Sequence, residues 1–77
     1  MAVNVVFMGS LIELTMARTI TVEDQESVHS LYRYLEERFP DLKTKSFRIL
    51  VNDEVINSER KLEAGDEVLL LPPHDGT

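Results

Sequence analysis

A single amphipathic helix is the sequence feature that most constrains this fold. Apolar residues recur at intervals of three and four between Ser27 and Pro40, which is the spacing of one helical stripe. The stripe consists of Val28, Leu31, Tyr32, Leu35 and Phe39. Ser27 is a suitable N-cap, and Pro40 ends the helix because the residue before a proline avoids the α region. The sequence therefore predicts a helix over residues 28–39 that buries one face.

Short apolar segments on either side of this helix predict β-strands. The segments before it read VNVVF and TITVE, and they flank LIELTMAR, in which Leu11 and Leu14 allow one helical turn. The segments after it read FRILV, VI and EVLLL, with turns predicted at residues 52–54 and 64–66. The predicted order is two strands, a helix and three strands. With one helix to cover one face of the sheet, this order indicates an α+β roll.

The predicted sheet has more apolar residues than one helix can cover. Strand alternation assigns one set to the helix face: Val5, Phe7, Ile20, Val22, Phe47, Ile49, Val68 and Leu70. It assigns a second set to the opposite face, with Val55 nearby: Val6, Met8, Leu50, Leu69 and Leu71. This is more apolar surface than an uncovered sheet face without a function usually carries, and it predicts a docking patch. Scattered apolar surface, or a slip in the strand register, is the alternative.

Charge and composition argue against several classes of function. Fourteen acidic residues against eight basic ones give a net charge of −6, whereas nucleic-acid binding depends on clustered Lys and Arg. Cysteine is absent, which excludes disulfides, thiolate metal sites and a cysteine nucleophile. His74 and Asp75 are adjacent, but a metal site needs three or four converging ligands. With no membrane-spanning run and no secretory leader, we expect a cytoplasmic protein without a bound cofactor or metal, and without a nucleic-acid or membrane partner.

The end of the chain is predicted to differ from the folded domain. Pro72 and Pro73 follow the last strand directly, and proline cannot donate to a β-ladder. Residues 74–77 contain no apolar side chain that could anchor them to the body. We therefore expect a folded domain over residues 1–71 and a flexible tail over residues 72–77. Such a tail is either a frayed end or the working part of the protein.

Several segments, in their order along the chain, match a known family. They are VVFMGSLIEL, SVHSLYRYLEERFPDL, FRILVNDEVI and LEAGDEVLLLPP, followed by a Gly-containing end. In this order they resemble the MoaD/ThiS sulfur carriers, which are ubiquitin-like β-grasp proteins, and they look most like the small subunit of molybdopterin synthase. The resemblance implies a mixed sheet of about five strands that a single helix covers on one face.

The resemblance also implies a mechanism that uses the terminus of the carrier. An E1-like enzyme uses ATP to adenylate the C-terminal carboxylate, which is converted to a thiocarboxylate and donates sulfur. In the molybdopterin branch the tail enters the active site of the large subunit of molybdopterin synthase. Such a carrier has no catalytic residues of its own, and its reactive end here corresponds to Gly76 and Thr77. The implied partner contacts are Met8, Val55, Leu71, Pro72 and Pro73.

The last residue departs from the family pattern. The family closes with Gly-Gly, whereas this chain closes with Gly76-Thr77, and the β-branched Thr77 would crowd a channel shaped for glycine. Either the last residue is altered or cut, or the natural enzyme tolerates threonine, or the chain has lost carrier activity and kept only binding. Two other functions stay open. One is a ubiquitin-like modifier or interaction module; the other is a ThiS-like carrier for thiamine synthesis or another sulfur pathway.

Overall fold

The computed structural model, which describes residues 1–73, confirms the predicted α+β roll. Its elements are β1 Ala2–Phe7, α1 Leu11–Thr15, β2 Thr19–Glu23, α2 Val28–Arg38, a 3₁₀ helix Pro40–Thr44, β3 Arg48–Val51, β4 Glu54–Ile56 and β5 Glu67–Leu71. The ambiguous segment after β1 is thus a short helix. The predicted domain boundary after residue 71 is not tested by this structure, because residues 74–77 lie outside the described part.

The five strands form one mixed sheet in the order β2-β1-β5-β3-β4. The first and last strands, β1 and β5, lie side by side and run parallel, whereas the other neighbouring pairs are antiparallel. A parallel pair needs a crossover connection, and the segment that contains α2 provides it. As a result β5 lies between β1 and β3, and the chain leaves the sheet at the end where β1 also finishes.

Helix α2 packs its apolar stripe on one face of the sheet. The buried core draws on the strands, on α2 and on the connections: Val3, Val5, Phe7, Val22, Val51, Val68, Leu70, Val28, Leu31, Leu35, Leu11, Leu42 and Leu62. The helix ends at Arg38, one residue before the predicted end, and Phe39 is its C-cap. The Phe39 ring meets the ring of Phe7 edge to face, with centroids 5.7 Å apart. Burial of one large apolar side chain stabilises the folded state by about 2 kcal/mol.

The N-terminus of α2 is capped as predicted, and it also has a partner that the sequence did not indicate. The Ser27 side chain accepts a hydrogen bond from the Ser30 N–H at 3.2 Å, and the Ser30 Oγ in turn accepts one from the Ser27 N–H at 3.3 Å. In addition, Glu59 Oε1 accepts from the His29 N–H at 2.9 Å. This hydrogen bond is the main cause that lowers the pKa of Glu59. A carboxylate distant in sequence therefore complements the positive end of the helix.

Two turns fix β5 relative to the β3–β4 hairpin. Asn52 and Asp53 form the two-residue loop with φ of 50° and 70°, as a hairpin turn with the right-handed twist requires. The Asn52 side chain donates to Asp66 Oδ1 at 3.0 Å and accepts from the Glu67 N–H at 3.0 Å. Gly65, at φ 85°, supplies the positive φ expected of the turn before β5. The start of β5 is therefore held to the tip of the hairpin.

Candidate docking surface

A row of aligned side chains crosses the sheet on the face opposite α2. From β2 to β4, the strand register aligns Thr19, Val6, Leu69, Leu50 and Val55. Residues that are paired across strands point to the same face, so these side chains are neighbours. The residues on either side of Val6, which are Val5 and Phe7, are buried in the core under α2. The row therefore faces away from the helix, as strand alternation predicted.

A second row lies next to the first, at the end where β5 finishes. Leu71 is paired with Arg48 on β3. On the other side, Met8 continues β1 and donates its N–H to the Leu70 carbonyl at 3.0 Å, which places it beside Leu71. Together with the first row these residues form what we call the open-face patch: Val6, Met8, Leu50, Val55, Leu69 and Leu71. The structure thus brings together the residues that strand alternation predicted for the face opposite the helix.

The open-face patch is accessible along its whole width. Val55 is 52% exposed and Met8 is 37% exposed, and the other members are half-buried by their neighbours in the sheet. A one-residue slip in register would exchange the two faces and expose Val5 and Phe7, which are instead buried. The alternative of a register slip is therefore wrong. A contiguous apolar surface of this kind is typical of a site that a partner covers.

The other half of the same face is polar. Asn4 on β1 is paired with Thr21 on β2 and with Glu67 on β5. The Thr21 hydroxyl donates to Asn4 Oδ1 at 3.3 Å. The apolar residues are therefore concentrated in the half of the face that adjoins the end of β5.

The chain leaves the sheet directly beside the open-face patch. Strand β5 ends at Leu71, as the prolines predicted, and Pro72 and Pro73 are half-buried. The Pro73 carbonyl accepts a hydrogen bond from Arg48 Nη2 at 3.3 Å. Of the residues predicted to take part in function, Met8, Val55, Leu71 and the prolines thus share one side of the molecule. Gly76 and Thr77 lie outside the described residues, so their part in the site stays a prediction.

Comparison with known proteins identifies the family. The sequence model of the ThiS family matches residues 5–76, which is nearly the whole chain. The chain belongs to the ThiS family. It is accordingly a ubiquitin-like protein of the ThiS/MoaD carrier type, as the sequence resemblance implied.

Solved structures confirm the β-grasp fold of this ThiS-family protein. A chain from the complex of subunits 1 and 2 of the molybdopterin-converting factor of Helicobacter pylori is 25% identical, with a TM-score of 0.76 and 100% of both chains covered. A Pyrococcus furiosus protein described as subunit 1 of the same factor is 21% identical, with a TM-score of 0.87 and 94% of this chain and 97% of that chain covered. SAMP1 from Haloferax volcanii is 23% identical, with a TM-score of 0.83 and 99% of both chains covered.

Other polar groups in the described part of this ThiS-family protein have their hydrogen-bond partners within the fold. Within residues 1–73, no group of three or more acidic or histidine side chains is placed to hold a metal. Over the same residues, no helix is both long and apolar enough to cross a membrane. Burial, with a hydrogen bond to Glu36, raises the pKa of Tyr32, and the Glu63 N–H is the main cause that lowers the pKa of Asp66. These groups lie away from the open-face patch.

One residue of this surface was not singled out from the sequence. Arg48 is one of eight basic residues spread along the chain, so its residue type alone did not mark it. The structure places it beside Leu71 and in contact with Pro73. The signal that could have found it is the alternation of β3, which puts Arg48 on the same face as Leu50. Its contact with Pro73 joins residues 25 positions apart in the chain, and a local pattern does not show such a contact.

Proposed function

We propose that this ThiS-family protein is a sulfur carrier whose C-terminal carboxylate is adenylated and converted to a thiocarboxylate for molybdopterin synthesis in the cytoplasm. The observation that carries the proposal is the open-face patch, which adjoins the point where the chain leaves the sheet. The chain contains no cysteine, so no side chain of its own can carry the sulfur as a thiol. The terminal carboxylate is the group that remains for the chemistry.

In this proposal the folded domain docks and the terminus reacts. An E1-like enzyme binds the open-face patch and uses ATP to adenylate the carboxylate of Thr77. Sulfide-level sulfur from a donor then attacks the acyl carbon and displaces AMP, which gives the thiocarboxylate. The carrier brings no catalytic residue and no bound cofactor to either step. Its contribution is binding, which holds the terminus at the active site of the partner.

The proposed contacts are Met8, Val55, Leu71, Pro72 and Pro73. Met8 and Leu71 are neighbours in the row at the end of β5, and Val55 ends the first row at the edge strand β4. From Pro73, four residues reach about 13 Å at full extension. That length is sufficient for the terminus to enter a pocket while the partner covers the patch.

The molybdopterin branch is supported by a structural neighbour. The Helicobacter pylori neighbour belongs to a complex of subunits 1 and 2 of a molybdopterin-converting factor, and the Pyrococcus furiosus neighbour is described as subunit 1. By analogy, the second partner proposed here is the large subunit of molybdopterin synthase, which binds the carrier after sulfur loading. A carrier for thiamine synthesis would have the same fold and the same patch, so the acceptor protein decides between these branches.

A second candidate function is protein modification. The Haloferax volcanii neighbour is named SAMP1, and a second structure of it carries the description small archaeal modifier protein 1. A modifier would form an isopeptide bond between its terminus and a lysine of a target. The open-face patch would dock the activating enzyme in this case also. The two functions therefore differ in the product that accumulates after activation.

The test is incubation with an E1-like enzyme of the same organism, ATP and a sulfur donor, followed by intact-mass spectrometry. The expected product shows the mass increase of one oxygen-to-sulfur exchange at the terminus. Thr77→Gly is the matched variant: an increase with this variant alone would show that threonine blocks activation. No increase with either protein would contradict the carrier function for that enzyme. Conjugates to lysine in place of a thiocarboxylate would favour the modifier function.

A further inference from the structure

Arg48 lies where the open-face patch, the start of the C-terminal segment and the sheet edge meet. It is the first residue of β3 and is paired with Leu71, so its side chain borders the patch. Its guanidinium donates to the Pro73 carbonyl at 3.3 Å. It also lines a shallow depression of about 380 Å³ at the β3–β4 edge, together with Val55. The Arg48 side chain therefore adjoins the open-face patch, Pro73 and the depression at the same time.

The charge of Arg48 is not paired with a carboxylate in the described part of the chain. Within residues 1–73 the ion pairs are the N-terminus with Glu23 and Arg60 with Glu54. A guanidinium has five N–H donors in a planar fork, and the contact with Pro73 uses one of them. Within residues 1–73 the other donors of this exposed side chain have no hydrogen-bond partner. Arg48 can therefore hold Pro73 and bind a further acceptor at the same time.

The surroundings of Arg48 favour a carboxylate as that acceptor. The depression is lined mainly by apolar side chains and by the amide residue Asn57. A partner surface that covers the open-face patch removes water from this region, which strengthens a charge-assisted hydrogen bond. A carboxylate matches the fork of the guanidinium and can accept two hydrogen bonds from it. Such a pair at the rim of an apolar contact fixes orientation as well as contributing affinity.

We propose that Arg48 binds a carboxylate of the E1-like enzyme that covers the open-face patch, while its bond to Pro73 positions the start of the C-terminal segment. This inference rests on the proposed docking function and adds the chemistry of the partner. The chain as a whole carries a net charge of −6 and attracts basic surfaces. The partner surface is therefore expected to be basic in general, with one acidic residue opposite Arg48.

Binding to the E1-like enzyme of the same organism, measured by titration calorimetry, tests the carboxylate contact. We expect Arg48→Ala to weaken the Kd about tenfold, Arg48→Lys about threefold, and Arg48→Glu more than either. Lys43→Glu is the matched control for Arg48→Glu, because Lys43 is an exposed cation on the 3₁₀ helix and both changes replace a positive charge by a negative one. It should change the Kd less than twofold. Equal effects of Arg48→Glu and Lys43→Glu would overturn the inference.

A variant of the patch itself separates this inference from the proposed function. Leu69→Glu places a charge at the centre of the open-face patch and should abolish binding. If Leu69→Glu abolishes binding and Arg48→Glu has no effect, the Arg48 contact is wrong and the docking function stands. If Leu69→Glu leaves the Kd unchanged, the docking function itself is wrong. Replacing an acidic residue of the enzyme by Arg should restore binding of Arg48→Glu, and failure of every such exchange would count against a carboxylate.

The positioning role is tested in the isolated protein by NMR. Loss of the hydrogen bond from Arg48 should move the carbonyl ¹³C signal of Pro73 in Arg48→Ala, whereas Lys43→Ala should leave it unchanged. An unchanged Pro73 signal in Arg48→Ala would show that Arg48 does not hold this carbonyl. This measurement is independent of any enzyme and of the chemistry at the terminus.

Discussion

Leu50 and Leu69 lie directly opposite each other on β3 and β5, at the centre of the open face. Val6 and Val55 extend this pair on its two sides, so apolar contact runs without interruption from β1 to β4. A partner that covers this row buries several aliphatic side chains at once, at about 25 cal/mol per Å² of apolar surface. In the proposed function, this row provides the affinity with which the carrier presents its terminus.

A charge at the centre of this row should prevent docking and leave the fold intact. Leu69 is half-buried and faces away from the core, so Leu69→Glu should lower the free energy of unfolding by no more than about 1 kcal/mol. Binding to the activating enzyme should fall at least a hundredfold, because a carboxylate would be buried without a partner. Calorimetry and urea unfolding measure the two effects. Thr21→Glu, on the polar half of the same face, is the control and should leave binding within twofold.

Neighbouring leucines at the end of β5 should differ sharply in their effect on stability. Leu70 is fully buried under α2, whereas Leu71 belongs to the open-face patch. Leu70→Ala should lower the free energy of unfolding by about 2–5 kcal/mol, because it leaves a cavity in the core. Leu71→Ala should cost less than about 1 kcal/mol. Urea unfolding measures both, and similar losses in the two variants would contradict the assignment of the faces.

The hydrogen bonds of Asp66 should make stability depend on acid pH. Its pKa lies below the usual 3.8, mainly because the Glu63 N–H donates to it and also because the Asn52 amide does. A lowered pKa in the folded state stabilises the fold above pH 3.8, and this contribution disappears as the pH falls through the lowered value. Asp66→Asn should therefore lose less stability than the wild type between neutral and strongly acid pH.

Urea unfolding at several pH values measures this difference. Asp53→Asn, which removes one charge at the adjacent turn, is the control and should keep the acid sensitivity of the wild type. Asparagine tolerates the positive φ of Asp53, so the turn itself is preserved. Identical pH profiles for Asp66→Asn and the wild type would show that the Asp66 contacts contribute nothing to folding.

Gly65 should be required for its backbone conformation alone. Its φ is 85°, and a Cβ built at this position would meet no atom within 4 Å. Gly65→Ala should therefore lower the free energy of unfolding by about 1–2 kcal/mol through strain, whereas Gly65→Asn should cost less because asparagine tolerates this region. Thermal unfolding measures the order of stability of the wild type, Gly65→Asn and Gly65→Ala. Ala64→Ser, at the preceding exposed turn residue, is the control and should have little effect.

Local patterns in the sequence predicted the parts of this protein that depend on near neighbours. The spacing of Val28, Leu31 and Leu35 determines which face of α2 is buried, and Ser27 determines where the helix begins. The period of two in each strand separates Val5 and Phe7 from Val6 and Met8. Pro72 ends β5 because it lacks the N–H of a strand residue. Each of these effects acts within a few residues, so the sequence alone is sufficient to find it.

Contacts between distant residues were decided by the tertiary structure. The pairing of β1 with β5 joins the first and last strands, and it places Met8 beside Leu71. Glu59 meets the start of α2, and Arg48 meets Pro73, across intervals of 30 and 25 residues. The positions of these partners depend on the order of all the strands, which no local periodicity specifies. The sequence by itself determined which faces are apolar and where the last strand ends, and the tertiary structure decided which side chains surround that end, because those neighbours come together only when the sheet assembles.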